Sequence, residues 1–149
     1  MKITHSFDSP RNIFEKLIRD SEALDIRVNG DNMMNFVCTS FHMLEWLKKS
    51  PITDTEQGKR LLKKAQKEDW MRTCKDILNA KINFSIEIED STLEEGEVPD
   101  FTKRPKIQDV VHYKNGRKNF KFIVGTNEYN PYDFKNEIVD FYSFYFQTK

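Results

Sequence analysis

The stretch "NMMNFVCTSFHMLEWLKK", residues 32–49, constrains the fold more than any other part of the chain. Met33, Met34, Phe36, Val37, Phe41, Met43, Leu44 and Leu47 cover most of a helical circumference. A helix that is apolar nearly all round has to be enclosed by other elements. The spacing therefore predicts a central helix over 31–49, stopped by Ser50-Pro51 because a residue before proline leaves the helical region. Its polar side chains are confined to one strip: Asn32, Asn35, Thr39, His42 and Lys49, with Glu45 alongside.

The enclosing elements can be read on either side. Ser9-Pro10 opens a first amphipathic helix, in which Ile13, Phe14, Leu17, Ile18 and Leu24 recur at three- and four-residue steps. It ends near Asp25, and Asn29-Gly30 supplies the break. Asp54 is the expected cap of a third helix running to about Ala80. That helix is highly charged at first, with Leu61, Leu62 and Ala65 inward, then apolar through Trp70, Met71, Cys74, Ile77 and Leu78.

After that the period changes to two. In "NFSIEIE", Phe84, Ile86 and Ile88 alternate with Ser85, Glu87 and Glu89, the pattern of a half-buried strand. Residues 90–106 read as a loop, acidic first and basic last. Asn115-Gly116 between two alternating segments predicts a two-residue hairpin over 107–124, with Ile107, Val111, Tyr113, Phe120, Phe122 and Val124 facing the helices. Asn130 caps and Pro131 opens a C-terminal helix with Phe134, Ile138, Phe141 and Tyr145 in one stripe. The expected fold is α+β in a single domain spanning 1–149. A bundle-like region of three helices (9–82) packs on a small antiparallel sheet, and the C-terminal helix closes it (83–149).

Charge and cysteines narrow the function classes. Twenty-four basic side chains balance 24 acidic ones, so any attraction to nucleic acid needs a local patch. Three clusters qualify: Lys59, Arg60, Lys63, Lys64 and Lys67; Lys103, Arg104 and Lys106; and Lys114, Arg117, Lys118 and Lys121. Solvated helix and turn surfaces commonly look the same. Cys38 and Cys74 form no CxxC pair, and no apolar run approaches the ~20 residues of a membrane span. The start of the chain lacks the apolar core of a signal peptide, so the expected setting is cytoplasmic, with two reduced, buried thiols.

Candidate chemistry is sparse. His42 and Glu45 share a helical face, but one such pair is half a metal site, and no metal or other cofactor is expected. There is no Gly-x-Ser-x-Gly elbow and no phosphate-binding glycine loop. What stands out is "RTCKDILNAKINF", which sets Arg72, Asp76, Asn79 and Asn83 on one face of the third helix. If the second and third helices are antiparallel neighbours, this face meets the strip carrying Asn35, Thr39 and His42. The two strips then either form a structural network that fixes helix register or line a functional groove.

"CKDILNAKINF", with "FHMLEWLKKSP" before it, resembles a segment of uncharacterised bacterial and phage proteins of HEPN-like helical type. The resemblance covers about 32–84. It implies a helical bundle that often dimerises, and whose active members cleave RNA with an arginine, a polar residue and a histidine. Asp76, Asn79 and Phe84 match the segment, whereas Lys75 stands for its arginine, Ile82 for its lysine and Asn83 for its histidine. An amide cannot shuttle a proton, so the resemblance implies a non-catalytic RNA- or protein-binding module. Homodimer assembly and a role in phage–host conflict are implied with it. The alternative is a metal-independent ribonuclease with His42 and Arg72 as catalytic residues. Asn35, Thr39, Asp76, Asn79 and Asn83 are the expected binding residues.

Overall fold

The computed structural model describes residues 6–88 and 120–147. The fold is α+β, with five helices and a three-stranded antiparallel sheet among those residues. The hairpin expected at Asn115-Gly116 and the loop 90–106 lie outside them.

Helix α1, Pro10–Ile26, starts where proline can occupy the first turn without forfeiting a needed N–H. The Asn12 side-chain oxygen accepts from the Asp8 and Ser9 amides at 3.1 and 3.2 Å. Helix α2, Gly30–Lys48, is capped by Asn29, whose side-chain oxygen accepts from the Asn32 amide at 2.7 Å. Met33, Phe36, Val37, Met43, Leu44 and Leu47 of α2 are all buried, so α2 is the central helix that its composition requires. A 3-10 turn, Pro51–Asp54, leads to α3, Glu56–Lys67. Its cap is Thr55 rather than Asp54; the Thr55 hydroxyl accepts from the Gly58 amide at 2.9 Å.

The expected third helix is in fact two, α3 and α4, the latter spanning Asp69–Leu78, with Glu68 extended between them (φ −70°, ψ 139°). The reason is helical phase. At about 100° per residue, an unbroken helix would turn Trp70 about 140° away from Ala65 and set the two apolar halves on nearly opposite sides. The break returns both to the core: Ala65, Trp70, Met71 and Cys74 are each 3% exposed or less.

Helix α4 ends in a Schellman motif. The Lys81 amide donates to the Asp76 carbonyl at 2.9 Å and the Ala80 amide to the Ile77 carbonyl at 3.1 Å. Ala80 holds the left-handed position at φ +58°, which favours glycine.

Strand β1, Phe84–Ile88, then pairs antiparallel with β2, Phe120–Val124, placing Ile86 opposite Phe122. The expected alternation holds at the strand centres: Ile86, Phe122 and Val124 are buried and Ser85 and Glu87 exposed, while Phe84 and Phe120, also expected inward, are half-buried. A third strand that periodicity did not reveal, β3, Asn127–Tyr129, pairs with β2 across Gly125-Thr126. Gly125 has φ +61°, as the first residue of a two-residue hairpin loop requires.

Helix α5, Pro131–Gln147, closes the fold. As expected, the Asn130 side chain caps it, accepting from the Tyr132 and Asp133 amides at 2.9 and 3.1 Å. Phe134 packs edge-on against Phe122 at 4.9 Å, joining helix to sheet. Phe146 stacks on Phe14 of α1 at 4.9 Å, and Trp70 of α4 meets Tyr142 at 5.7 Å. The stripe is shifted from the expected one. Tyr142 is fully buried, and Phe141 is only half-buried.

Candidate functional site

The two polar strips expected to face one another are not joined. Among the described residues, no hydrogen bond or ion pair links the polar strip of α2 to that of α4. The buried residues of α4 are Trp70, Met71, Cys74 and Ile77, so it turns an apolar face to the core, as α2 does over most of its surface. The α2 edge is used against α1, and at α4 it is the backbone that is engaged.

On α2, the Asn32 side-chain amide donates to the Arg27 carbonyl at 2.9 Å and to the Ala23 carbonyl at 3.3 Å, the latter already accepting from the Arg27 backbone amide, so it braces the end of α1. The buried Thr39 hydroxyl accepts from Lys16 Nζ at 2.8 Å. It lies 2.5 Å from Asp20 Oδ2 and 2.9 Å from the Asn35 carbonyl, either of which can take its single proton. Lys16 and Asp20 are themselves 2.7 Å apart. Thr39 thus belongs to a polar lock between α1 and α2. Asn35 is exposed beside it.

His42 is exposed, its ring tilted against Phe41 at 6.3 Å. Its neighbour Glu45 pairs with Lys48 at 3.5 Å. No group of three or more His, Cys, Asp or Glu among the described residues is arranged to hold a metal.

On α4, Arg72 is exposed and Asp76 half-buried. Asp76 supplies its carbonyl to the Schellman motif, and Asn79 is the C-cap, its amide donating to Lys75. Asn83 is exposed, and its carbonyl accepts from the Gly125 amide at 3.1 Å, tying the start of β1 to the β2–β3 turn. The quoted stretch therefore stops a helix and starts a strand. Arg72, His42 and Asn83 are not gathered into a shared site by any described contact.

Thiol chemistry is muted. Burial pushes the Cys74 thiol far above its ordinary value, with Cys38 adding to the effect. Cys38, half-buried rather than buried, is also raised by desolvation, partly offset by Lys16. Both stay protonated near neutral pH, which leaves little thiolate for nucleophilic attack.

A different surface combines charge, shape and exposed aromatic area. Between α3 and α5 runs a groove of about 330 Å3, lined by Gln57, Arg60, Leu61 and Lys64 on one wall and Phe141, Phe144 and Tyr145 on the other. Helix α3 places five cations (Lys59, Arg60, Lys63, Lys64 and Lys67) in twelve residues against the single acid Glu56, and all five are exposed. Among the described residues none of the five is ion-paired. Lys64 Nζ lies 5.9 Å from the centre of the Phe141 ring.

Phe144 is 76% exposed, although its neighbours Tyr145 and Phe146 are buried. The basic cluster was legible as a charge run. Phe144 carries a weaker signal: at about 100° per residue it falls about 100° off the Phe134–Ile138–Tyr145 stripe, outside a single packed face.

No family model, curated protein or solved structure matches the chain.

Proposed function

We propose that this protein is a non-catalytic RNA-binding module. One observation carries the proposal: in a chain with zero net charge, α3 concentrates a net charge of +4 on an exposed surface. Such a patch draws phosphates by releasing their counterions. The HEPN-like resemblance of 32–84 supports the same class, and the asparagine at position 83 supports the loss of cleavage. An exposed His42 and an exposed Arg72, with no described contact to each other, add nothing in favour of the ribonuclease alternative.

Assembly as a homodimer and service in phage–host conflict rest on the resemblance alone. The two unbridged thiols, one fully buried, favour the cytoplasm. Among the described residues no helix is long and apolar enough to cross a membrane.

The test is titration of a labelled single-stranded RNA at several salt concentrations, with gel analysis of the RNA afterwards. We expect binding that weakens as salt rises, intact RNA, and no change with His42→Ala. Cleavage lost in both His42→Ala and Arg72→Ala would instead establish the enzyme. Light scattering in the same buffer reads the oligomeric state.

A further inference from the structure

The two walls of the α3–α5 groove differ in chemistry. Arg60 and Lys64 sit one helical turn apart, with about 5–6 Å between Cβ atoms of such neighbours, so they can take adjacent phosphates of one strand. Opposite them, Phe144 presents a largely exposed ring, and Phe141 continues the aromatic wall beneath Lys64. At 76% exposure, the Phe144 ring offers apolar surface that a further partner can cover. Here it stands beside cations that have no described carboxylate partner.

Cations bordering an aromatic platform are what a single strand needs, because every base has a π-face and every linkage a charge. A duplex hides those faces in its own stack. The groove volume of about 330 Å3 lies at the small end of ligand clefts, about 300–1,000 Å3, which suits one or two nucleotides. A helical peptide would need apolar anchors repeated over successive turns, whereas this wall offers one largely exposed ring.

We infer that the α3–α5 groove binds single-stranded nucleic acid, stacking a base on Phe144 while Arg60 and Lys64 hold neighbouring phosphates. The inference rests on the RNA-binding function proposed above and specifies where and how contact is made. It assigns no part in binding to Arg72, Asn79 or Asn83.

Fluorescence anisotropy of the full-length protein tests it, with a short labelled RNA, the DNA of the same sequence, and an abasic strand of equal phosphate count. Phe144→Ala should weaken binding of RNA or DNA about tenfold, within the range for loss of one stacked base. Phe144→Trp should retain affinity and add an emission that the bound strand quenches. Arg60→Ala and Lys64→Ala should each reduce the salt slope by about 0.7. The abasic strand should bind wild type and Phe144→Ala alike. All three side chains are exposed, so these variants should fold, with unchanged circular dichroism as the check.

Wild-type binding that stays within twofold in both Phe144→Ala and Arg60→Ala would overturn the groove and leave RNA binding standing. Failure of the wild type to bind either strand at low salt would overturn both. A poly-glutamate peptide that displaced the strand, and bound with the same dependence on Phe144, would assign the groove to an acidic protein segment and overturn the inference.

Discussion

The end of α4 and the groove between α3 and α5 both carry a row of polar side chains at helical spacing, yet they differ in backbone role and in charge. At the α4 terminus, Asp76, Ile77 and Asn83 give carbonyls to hydrogen bonds that close the helix and tie it to the sheet. In the groove, Arg60 and Lys64 make no described ion pair, and Phe144 is largely exposed. The backbone's need to satisfy its own donors and acceptors explains where the α4 helix stops. It does not involve the side chains of Arg72, Asp76, Asn79 or Asn83. What sets the groove apart is its concentrated positive charge beside a ring that is 76% exposed.

The largest effect that would sharpen this contrast comes from a pair of phenylalanines. Phe122 is fully buried among Phe84, Tyr129 and Phe134. Phe122→Ala should cost about 3–5 kcal/mol in chemical denaturation, as loss of a buried aromatic does. Phe144→Ala should change stability by less than about 0.5 kcal/mol, as at an exposed position. A loss of several kcal/mol on truncating Phe144 would make that ring part of the core and break the comparison.

Alkaline pH gives the next effect. Burial raises Cys74 above its ordinary 9.0 and Tyr142 above its ordinary 10.0, so the folded state keeps protons that the unfolded chain releases. Folded-state values lie above unfolded ones, so stability is intact below pH 9.0 and is lost as pH rises beyond it. Each group contributes about 1.4 kcal/mol per pH unit above its unfolded value. The Tyr142 hydroxyl is buried without a hydrogen-bond partner among the described residues. Tyr142→Phe should therefore match or exceed wild type by up to about 1 kcal/mol at neutral pH and flatten the alkaline loss. Denaturation midpoints between neutral and alkaline pH read both. A variant less stable than wild type at neutral pH would mean that the hydroxyl is satisfied.

The smallest effect tests the α4 terminus itself. Ala80 occupies a left-handed position that costs a residue with a Cβ about 1–2 kcal/mol. Ala80→Gly should raise stability by about 1 kcal/mol or somewhat less, after the glycine's greater unfolded-state entropy is deducted. RNA affinity should not move.

Much of the fold was legible in the chain. The all-round apolar helix, the Ser9-Pro10 and Asn130-Pro131 starts, and the inward residues of β1 and β2 follow from periodicity and capping chemistry. The split of α3 from α4 was legible too, in the five-residue step from Ala65 to Trp70, but only when helical phase is tracked across the charged middle. Strand β3 is three residues long, too short for a period to register.

Lys135 could not have been found as a buried residue. Its side chain reaches Asp25 Oδ1 at 3.1 Å and Ser21 Oγ at 3.1 Å on α1, more than a hundred positions away. The site was less legible than the fold. Arg72, Asp76, Asn79 and Asn83 share the spacing of a functional face, yet that spacing does not separate a binding row from the carbonyl-rich close of a helix. The groove needs α3 and α5 together, and no local pattern brings 57–64 against 141–145.

An amide-resolved NMR titration of the protein with a short single-stranded RNA compares the two regions directly. Shifts concentrated at 57–64 and 141–145, with 72–83 unmoved, are the expected result. Shifts concentrated at 72–83 and around His42, with the groove silent, would contradict it.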